Sequence, residues 1–260
     1  MRFPLMTVLF LTLCACASVP ADSEQRAAYE KNNDPLEPMN RAVYAFNLKA
    51  DDYLLRPVIN GYRFVVPLSL RQSISNAFDN LNSPISASNQ ILQGRFKQAA
   101  VTVARLVVNT IAGFVGFYDV AARMGLEKEK TGFADTLGVW GVPSGPYLML
   151  PLLGPSDMRD TTGLAGDFFL NPMTYATRNN GNRDFERFVW SETGINALVS
   201  YDNAVDLLDD LRKNSLDSYA SMRSMYQMYR QEKIARLSGK QPTEDEKPSY
   251  EFSLDDFDEL

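Results

Sequence analysis

Any chemistry in this chain has to be done without imidazole and nearly without thiol. The 260 residues contain no histidine, and the two cysteines are Cys14 and Cys16. A Ser-His-Asp relay and a histidine-ligated metal site are therefore excluded. With no cysteine after position 16, a disulfide framework, a thiol nucleophile in the body and a zinc ribbon are excluded too. Ser144 lies in Gly141-Val142-Pro143-Ser144-Gly145, one position late for a nucleophile elbow. No histidine is there to act as its base, which argues against a hydrolase. No cofactor is implied. What remains is carboxylate, Lys, Arg and Tyr chemistry, and the chemistry of the N-terminal thiols.

Met1-Arg2 is a minimal positive start, and Phe3 to Leu13 is an apolar run of eleven residues. A membrane-crossing helix needs about 20 residues, so residues 1–15 read as a signal peptide. Leu13-Cys14-Ala15-Cys16 follows at once and resembles the lipobox of bacterial lipoproteins. Cleavage before Cys16 would leave it as the first residue, acylated on thiol and amine. More than one acyl chain gives stable anchoring, at about 0.8 kcal/mol per buried CH₂. Cys14 fits less well because Leu13 would precede the cut. The plainer alternative is an ordinary signal peptide with incidental cysteines. Ala17 stands where an aspartate would resemble an inner-membrane retention signal, so the resemblance points to the outer membrane. Residues 16–33 are polar and aperiodic, and read as a tether.

Charge is unevenly placed. Residues 241–260 hold eight acids and one base, Lys247, whereas residues 16–240 hold 24 of each sign. A neutral body lacks the basic footprint that nucleic acid requires. The tail is poor in apolar residues and reads as disordered.

The body, 34–239, reads as a single all-α domain. Asp34-Pro35-Leu36-Glu37 has the pattern of a capped helix start, followed by Met39, Val43, Phe46, Ala50 and Tyr53 at helical spacing. Pro57 is expected to end that helix. Leu70, Ile74, Phe78 and Leu81 predict a second helix between Pro67 and Pro84, and a short one runs from Ile85 to Leu92 with a stop at Gly94. Residues 95–112 form the most apolar helix, buried in protein or in lipid. From Ala99 to Val120 its charges are Arg105 and Asp119 alone. Thr102, Arg105 and Asn109, at i, i+3 and i+7, share one face. Gly113 and Gly116 allow close backbone approach or a break. Residues 131–155 are too rich in glycine and proline for one helix and too apolar for a solvated loop; Tyr147–Leu150 is a short extended run. Helices are expected again at about 157–168, 182–200, 202–213 and 215–238, the last with Tyr219, Met222, Tyr226 and Tyr229 on its core face.

Several stretches together resemble one family: NDPLEPMNRAVYAFN (33–47), RPVINGYRFVVP (56–67), ARLVVNTIAGFVGFYDVA (104–121) and FADTLGVWGVPSGPYLMLPLLGPSDMRD (133–160). With the lipobox ahead of them, they resemble the MlaA/VacJ outer-membrane lipoproteins. The resemblance implies a helical ring in the inner leaflet of the outer membrane of a Gram-negative bacterium, lipid-anchored and facing the periplasm. An amphipathic channel would pass phospholipid from the outer leaflet to a periplasmic lipid-carrier protein, maintaining lipid asymmetry. The same resemblance implies porin trimers as partners and no covalent chemistry.

A lipid channel must carry a charged headgroup through an apolar layer, where unpaired polar groups cost several kcal/mol. On that reading Thr102, Arg105, Asn109, Gly113 and Gly116 are channel candidates, with Arg105 suited to phosphate. The alternative is a buried Arg105 paired with Asp119 or Asp135. Gly145, Pro146 and Tyr147 are lipid-contacting candidates, against the alternative of a tight buried turn that fixes helix packing. A rival function is a structural or adhesive lipoprotein that moves no lipid.

Overall fold

A computed structural model describes residues 34–171 and 183–239, excepting the side chains of 183–193. The expected signal peptide, Cys16, tether and acidic tail lie outside these residues. The chain is predominantly helical, as its periodicity requires, with one small hairpin. Helix α1 (Glu37–Ala50) runs through a π-turn (Asp51–Leu55) into α2 (Arg56–Val65). Helices α3 (Leu68–Leu92) and α4 (Phe96–Ile111) pack against each other along their lengths. A short α5 (Val120–Arg123) and α6 (Phe133–Val139) lead to the antiparallel pair β1 (Tyr147–Leu150) and β2 (Gly154–Asp157). Helices α7 (Met158–Leu170), α8 (Arg183–Asn214) and α9 (Ser218–Leu237) complete the described chain.

Four expectations about the elements need correction. Pro57 does not end a helix; it sits in the first turn of α2, directly after the π-turn, where the wider i→i+5 bonding of the preceding residues carries the chain past its missing N–H. Pro84 lies inside α3, so the two helices expected on either side of it are one. It removes only the bond to the Asn80 carbonyl, and the packed neighbours hold the helix together. The helices expected at 182–200 and 202–213 are likewise continuous. Asp34 does not cap α1 with its side chain. Its buried carboxylate instead accepts from Asn40 Nδ2 (2.7 Å), Tyr219 Oη (2.5 Å) and Arg223 Nη1 (2.8 Å). The stops at Gly94 and Gly239 are as expected, both glycines adopting positive φ.

The hairpin is held from one side by α1. Asn40 donates to the Tyr147 carbonyl (3.0 Å) and accepts from the Met149 N–H (2.9 Å). Seven residues on, Asn47 donates to the Leu150 carbonyl (2.9 Å) and accepts from the Leu152 N–H (2.8 Å). Two amides on one helical face thus satisfy the open edge of β1 as a third strand would. Beneath it lies an aromatic cluster. Tyr147 packs edge-on to Tyr219 and Tyr226, and Tyr44 packs on Tyr219. Met149 and Met222 fill the same core, so Tyr219, Met222 and Tyr226 of α9 are core as expected, whereas Tyr229 is half-buried outside the cluster, with Lys233 on its hydroxyl.

The rest of the body has inverted polarity. Among the described residues, buried polar and charged side chains outnumber buried apolar ones, while many large apolar side chains are exposed. On α1 the expected core stripe is divided: Phe46 is exposed, as is Tyr53 in the π-turn, Met39, Val43 and Ala50 are half-buried with Val43 against the aromatic core, and the buried side chains of α1 are Asn40 and Tyr44. On α4 the buried residues include Thr102, Arg105 and Asn109, while Phe96, Val103, Val107 and Ile111 face out. Phe64 at 91% and Val65 at 74% exposure project from α2. Leaving one such side chain in water forfeits about 1.5–3 kcal/mol, and a continuous apolar surface marks a membrane or partner contact. No helix among the described residues is long and apolar enough to cross a membrane.

Candidate functional site

The polar interior has one spine, the inward face of α3. Ser75, Asp79, Asn82 and Ser86 follow at i, i+4, i+7 and i+11, with Asn76, Asn80 and Ser83 beside them. Over about 16 Å of helix this face lines two neighbouring cavities. The smaller, about 30 Å³, lies against α4 and is walled by Thr102, Arg105, Asn109 and Asp119. The larger, about 370 Å³, lies toward α7, α8 and α9, and has the size of a small-ligand site. Asp79, Ser86 and Lys130 border both. Asp79 binds Lys128 Nζ (3.0 Å) and Lys130 Nζ (2.9 Å), so an ion pair stands on the wall common to the two. The larger cavity also has an apolar side, made by Phe78, Ile85 and Val199.

The sequence-predicted stripe on α4 is brought together, and each member is bonded. Thr102 Oγ1 donates to Gln90 Oε1 (2.8 Å). Arg105 Nη2 binds Asp119 Oδ2 (2.7 Å), and its Nη1 donates to the Leu126 carbonyl. Asn109 Nδ2 donates to Asp119 Oδ1 (3.0 Å) and its Oδ1 accepts from the Ala121 N–H (2.9 Å). Of the two readings of Arg105, the pair with Asp119 is present, and the residue also lines the small cavity. Burial pushes the Asp119 carboxyl up, but Asn109, the Ala122 N–H and Arg105 outweigh it, so its pKa lies below the ordinary value. Asp135, the other candidate partner, belongs to Arg230 Nη1 (2.6 Å) and Lys233 (3.7 Å).

Gly113 and Gly116 shape the turn after α4 and do not line either cavity. A Cβ on Gly116 would sit 2.5 Å from Asn80 Cβ, and its φ is +92°. Only glycine lets this turn lie flush on α3. The expected lipid contact of Tyr147 is corrected: its ring is 1% exposed inside the aromatic cluster and cannot reach lipid. Gly145 and Pro146 are half-buried in the turn before it, and a Cβ on Gly145 would meet Met158 Cβ at 3.0 Å. The outward apolar side chains near this segment are Trp140, Val142, Leu152 and Leu153.

The α3 polar face was missed in the sequence, although its signal was present. The same helix carries an apolar stripe (Leu70, Ile74, Phe78, Leu81), whose spacing predicts the helix without saying what its polar side faces. Also missed were the buried cations of α9. Arg223 binds Asp34, and Arg230 joins Asp135 and Asp160. They lie on the same helix as the core tyrosines Tyr219 and Tyr226. Groups of acidic residues that could hold a metal ion are absent among the described residues.

A helical body with apolar outer walls and a polar interior cleft is the build of a membrane-seated protein. Residues 32–233 match the family model of the MlaA lipoprotein, and the chain belongs to that family. It is 33% identical over 255 residues to the intermembrane phospholipid transport system lipoprotein MlaA of Escherichia coli (strain K12), covering 95% of this chain and 93% of that one. An uncharacterized protein of Rickettsia bellii is 34% identical over 202 residues, 77% of this chain and 76% of that one. A solved structure concerning maintenance of bacterial outer membrane lipid asymmetry superposes with a TM-score of 0.66 at 32% identity, covering 77% of this chain and 98% of that one.

Proposed function

We propose that this chain is an outer-membrane lipoprotein that moves phospholipid, and so maintains the lipid asymmetry of that membrane. Cys16 carries the acyl anchor, and the body lies in the inner leaflet facing the periplasm. Phospholipid passes from the outer leaflet through the cleft to a periplasmic lipid-carrier protein, and a porin trimer holds the body in place.

The observation that carries this reading is the 370 Å³ cavity with polar and apolar sides, set in a body whose large apolar side chains point outward. The α3 amides and hydroxyls, with Lys130, offer a headgroup the bonds it gives up on leaving water. Phe78, Ile85 and Val199 give the first methylenes of the acyl chains an apolar wall. Relatives bearing the phospholipid-transport name support the same reading. Thr102 ties α4 to α3 through Gln90, and Arg105 and Asn109 hold α4 against residues 119–126, which lead into the loop carrying Lys128 and Lys130.

The test is a strain lacking the gene, complemented with wild type or with Ser86→Phe, which fills the cleft from α3. Wild type should return surface phospholipid to its normal level, and a stably expressed Ser86→Phe should not. Full complementation by the filled variant would favour the structural or adhesive reading.

A further inference from the structure

The 370 Å³ cavity holds one carboxylate whose bonds come only from neutral donors. Asp167, near the end of α7, accepts from Asn89 Nδ2 (3.0 Å) and from the Phe133 N–H (2.9 Å), both on Oδ1. Among the described residues no cation is bonded to it. The neighbouring carboxylates differ: Asp79 has Lys128 and Lys130, and Asp135 has Arg230 and Lys233. Oδ2 faces the backbone of Gly132, where a Cβ would come within 2.6 Å, so glycine leaves the approach to that oxygen open. Gly132 lines the same cavity. Burial pushes the Asp167 carboxyl above its ordinary value, the bonds from Phe133 and Asn89 pull it back in part, and Asp135 adds to the rise. An incoming cation would remove that penalty. Lys130 borders the cavity on the α3 side, so the cavity's wall offers an anionic and a cationic group to one ligand.

We propose that Asp167 is the counter-ion for the primary ammonium of a zwitterionic phospholipid headgroup, whose phosphate is turned toward Lys130. This rests on the reading of the cleft as a phospholipid site and names the headgroup class it favours. A headgroup with an ammonium separated from its phosphate by two carbons presents one charge to each wall. A glycerol headgroup leaves Asp167 without a cation. The preference is therefore for phosphatidylethanolamine over phosphatidylglycerol, by about tenfold, the size of one charge-assisted hydrogen bond.

The experiment uses the full-length lipoprotein purified from mixed micelles containing equal parts of the two lipids, with retained lipid measured by mass spectrometry. Wild type should retain phosphatidylethanolamine about tenfold over phosphatidylglycerol. Asp167→Asn, which keeps the Oδ1 acceptor for Phe133 and Asn89, should bring the ratio near one by losing phosphatidylethanolamine while phosphatidylglycerol retention stays as in wild type. Equal retention by wild type overturns the subsite and leaves phospholipid movement standing, and needs no variant to fold. A preference that survives in a folded Asp167→Asn also overturns it. Retention of neither lipid by wild type overturns both the subsite and the function on which it rests.

Discussion

Replacing Arg105 with leucine separates a structural cation from a dispensable one. The guanidinium is 7% exposed and holds Asp119 and the Leu126 carbonyl together. Breaking a buried ion pair from one side costs about 3–5 kcal/mol. Asp119 is 22% exposed at its side chain and keeps two donors, Asn109 Nδ2 and the Ala122 N–H. The cost should therefore fall to about 2–3 kcal/mol. Arg105→Lys, which cannot fork to both acceptors, should lose about 1 kcal/mol. The pH dependence follows from the depressed Asp119 pKa. Its ionised form stabilises the fold above the unfolded carboxylate value of about 3.9, and that contribution disappears as pH falls through the lower folded value. The gap between wild type and Arg105→Leu should be full at pH 7 and narrow once the pH falls below about 4. Urea unfolding in detergent micelles, followed by far-ultraviolet circular dichroism, measures both. A cycle with Asp119→Asn isolates the pair. A loss under about 0.5 kcal/mol, or a coupling near zero, would refute the ion pair as a structural element. Normal surface phospholipid in a stable Arg105→Leu strain would also remove Arg105 from any lipid path.

Asn40→Ala removes three buried bonds, to Asp34, Tyr147 and Met149. It should cost about 2–4 kcal/mol in the same unfolding assay, with hairpin amides losing hydrogen-exchange protection first. Gly116→Ala puts a Cβ on Asn80 at a positive φ and should cost more than about 2 kcal/mol; a neutral result would mean that the turn moves freely. Cys16→Ser should release the protein from the outer membrane or leave it unprocessed, read by fractionation and by mass spectrometry of the N-terminus. Unchanged membrane association with normal processing would remove the acyl anchor from the proposal.

Local structure was legible in the sequence because local physics decides it. The spacing of apolar residues marks most of the helices, Gly94 and Gly239 mark two of their ends, and Tyr147–Leu150 reads as extended. The common face of Thr102, Arg105 and Asn109 follows from the helical period alone, and the four family stretches lie along the body in order. The absence of histidine closes off several catalytic classes without any coordinates.

Only the tertiary structure decided which face of each helix turns inward. Periodicity divides α1 and α3 into an apolar and a polar face, but assigning the apolar face to the core presumes water outside. Here Phe46, Tyr53, Phe64 and Ile111 face outward, and Asn40, Asn80, Asn89 and Gln90 face in. The same pattern carries the opposite meaning when the surroundings are apolar, because the polar groups are then the ones that must find partners inside. Partner choice is non-local for the same reason. Arg105 takes Asp119 while Asp135 goes to Arg230, 95 residues away, and spacing along one helix holds no information about a carboxylate delivered by another.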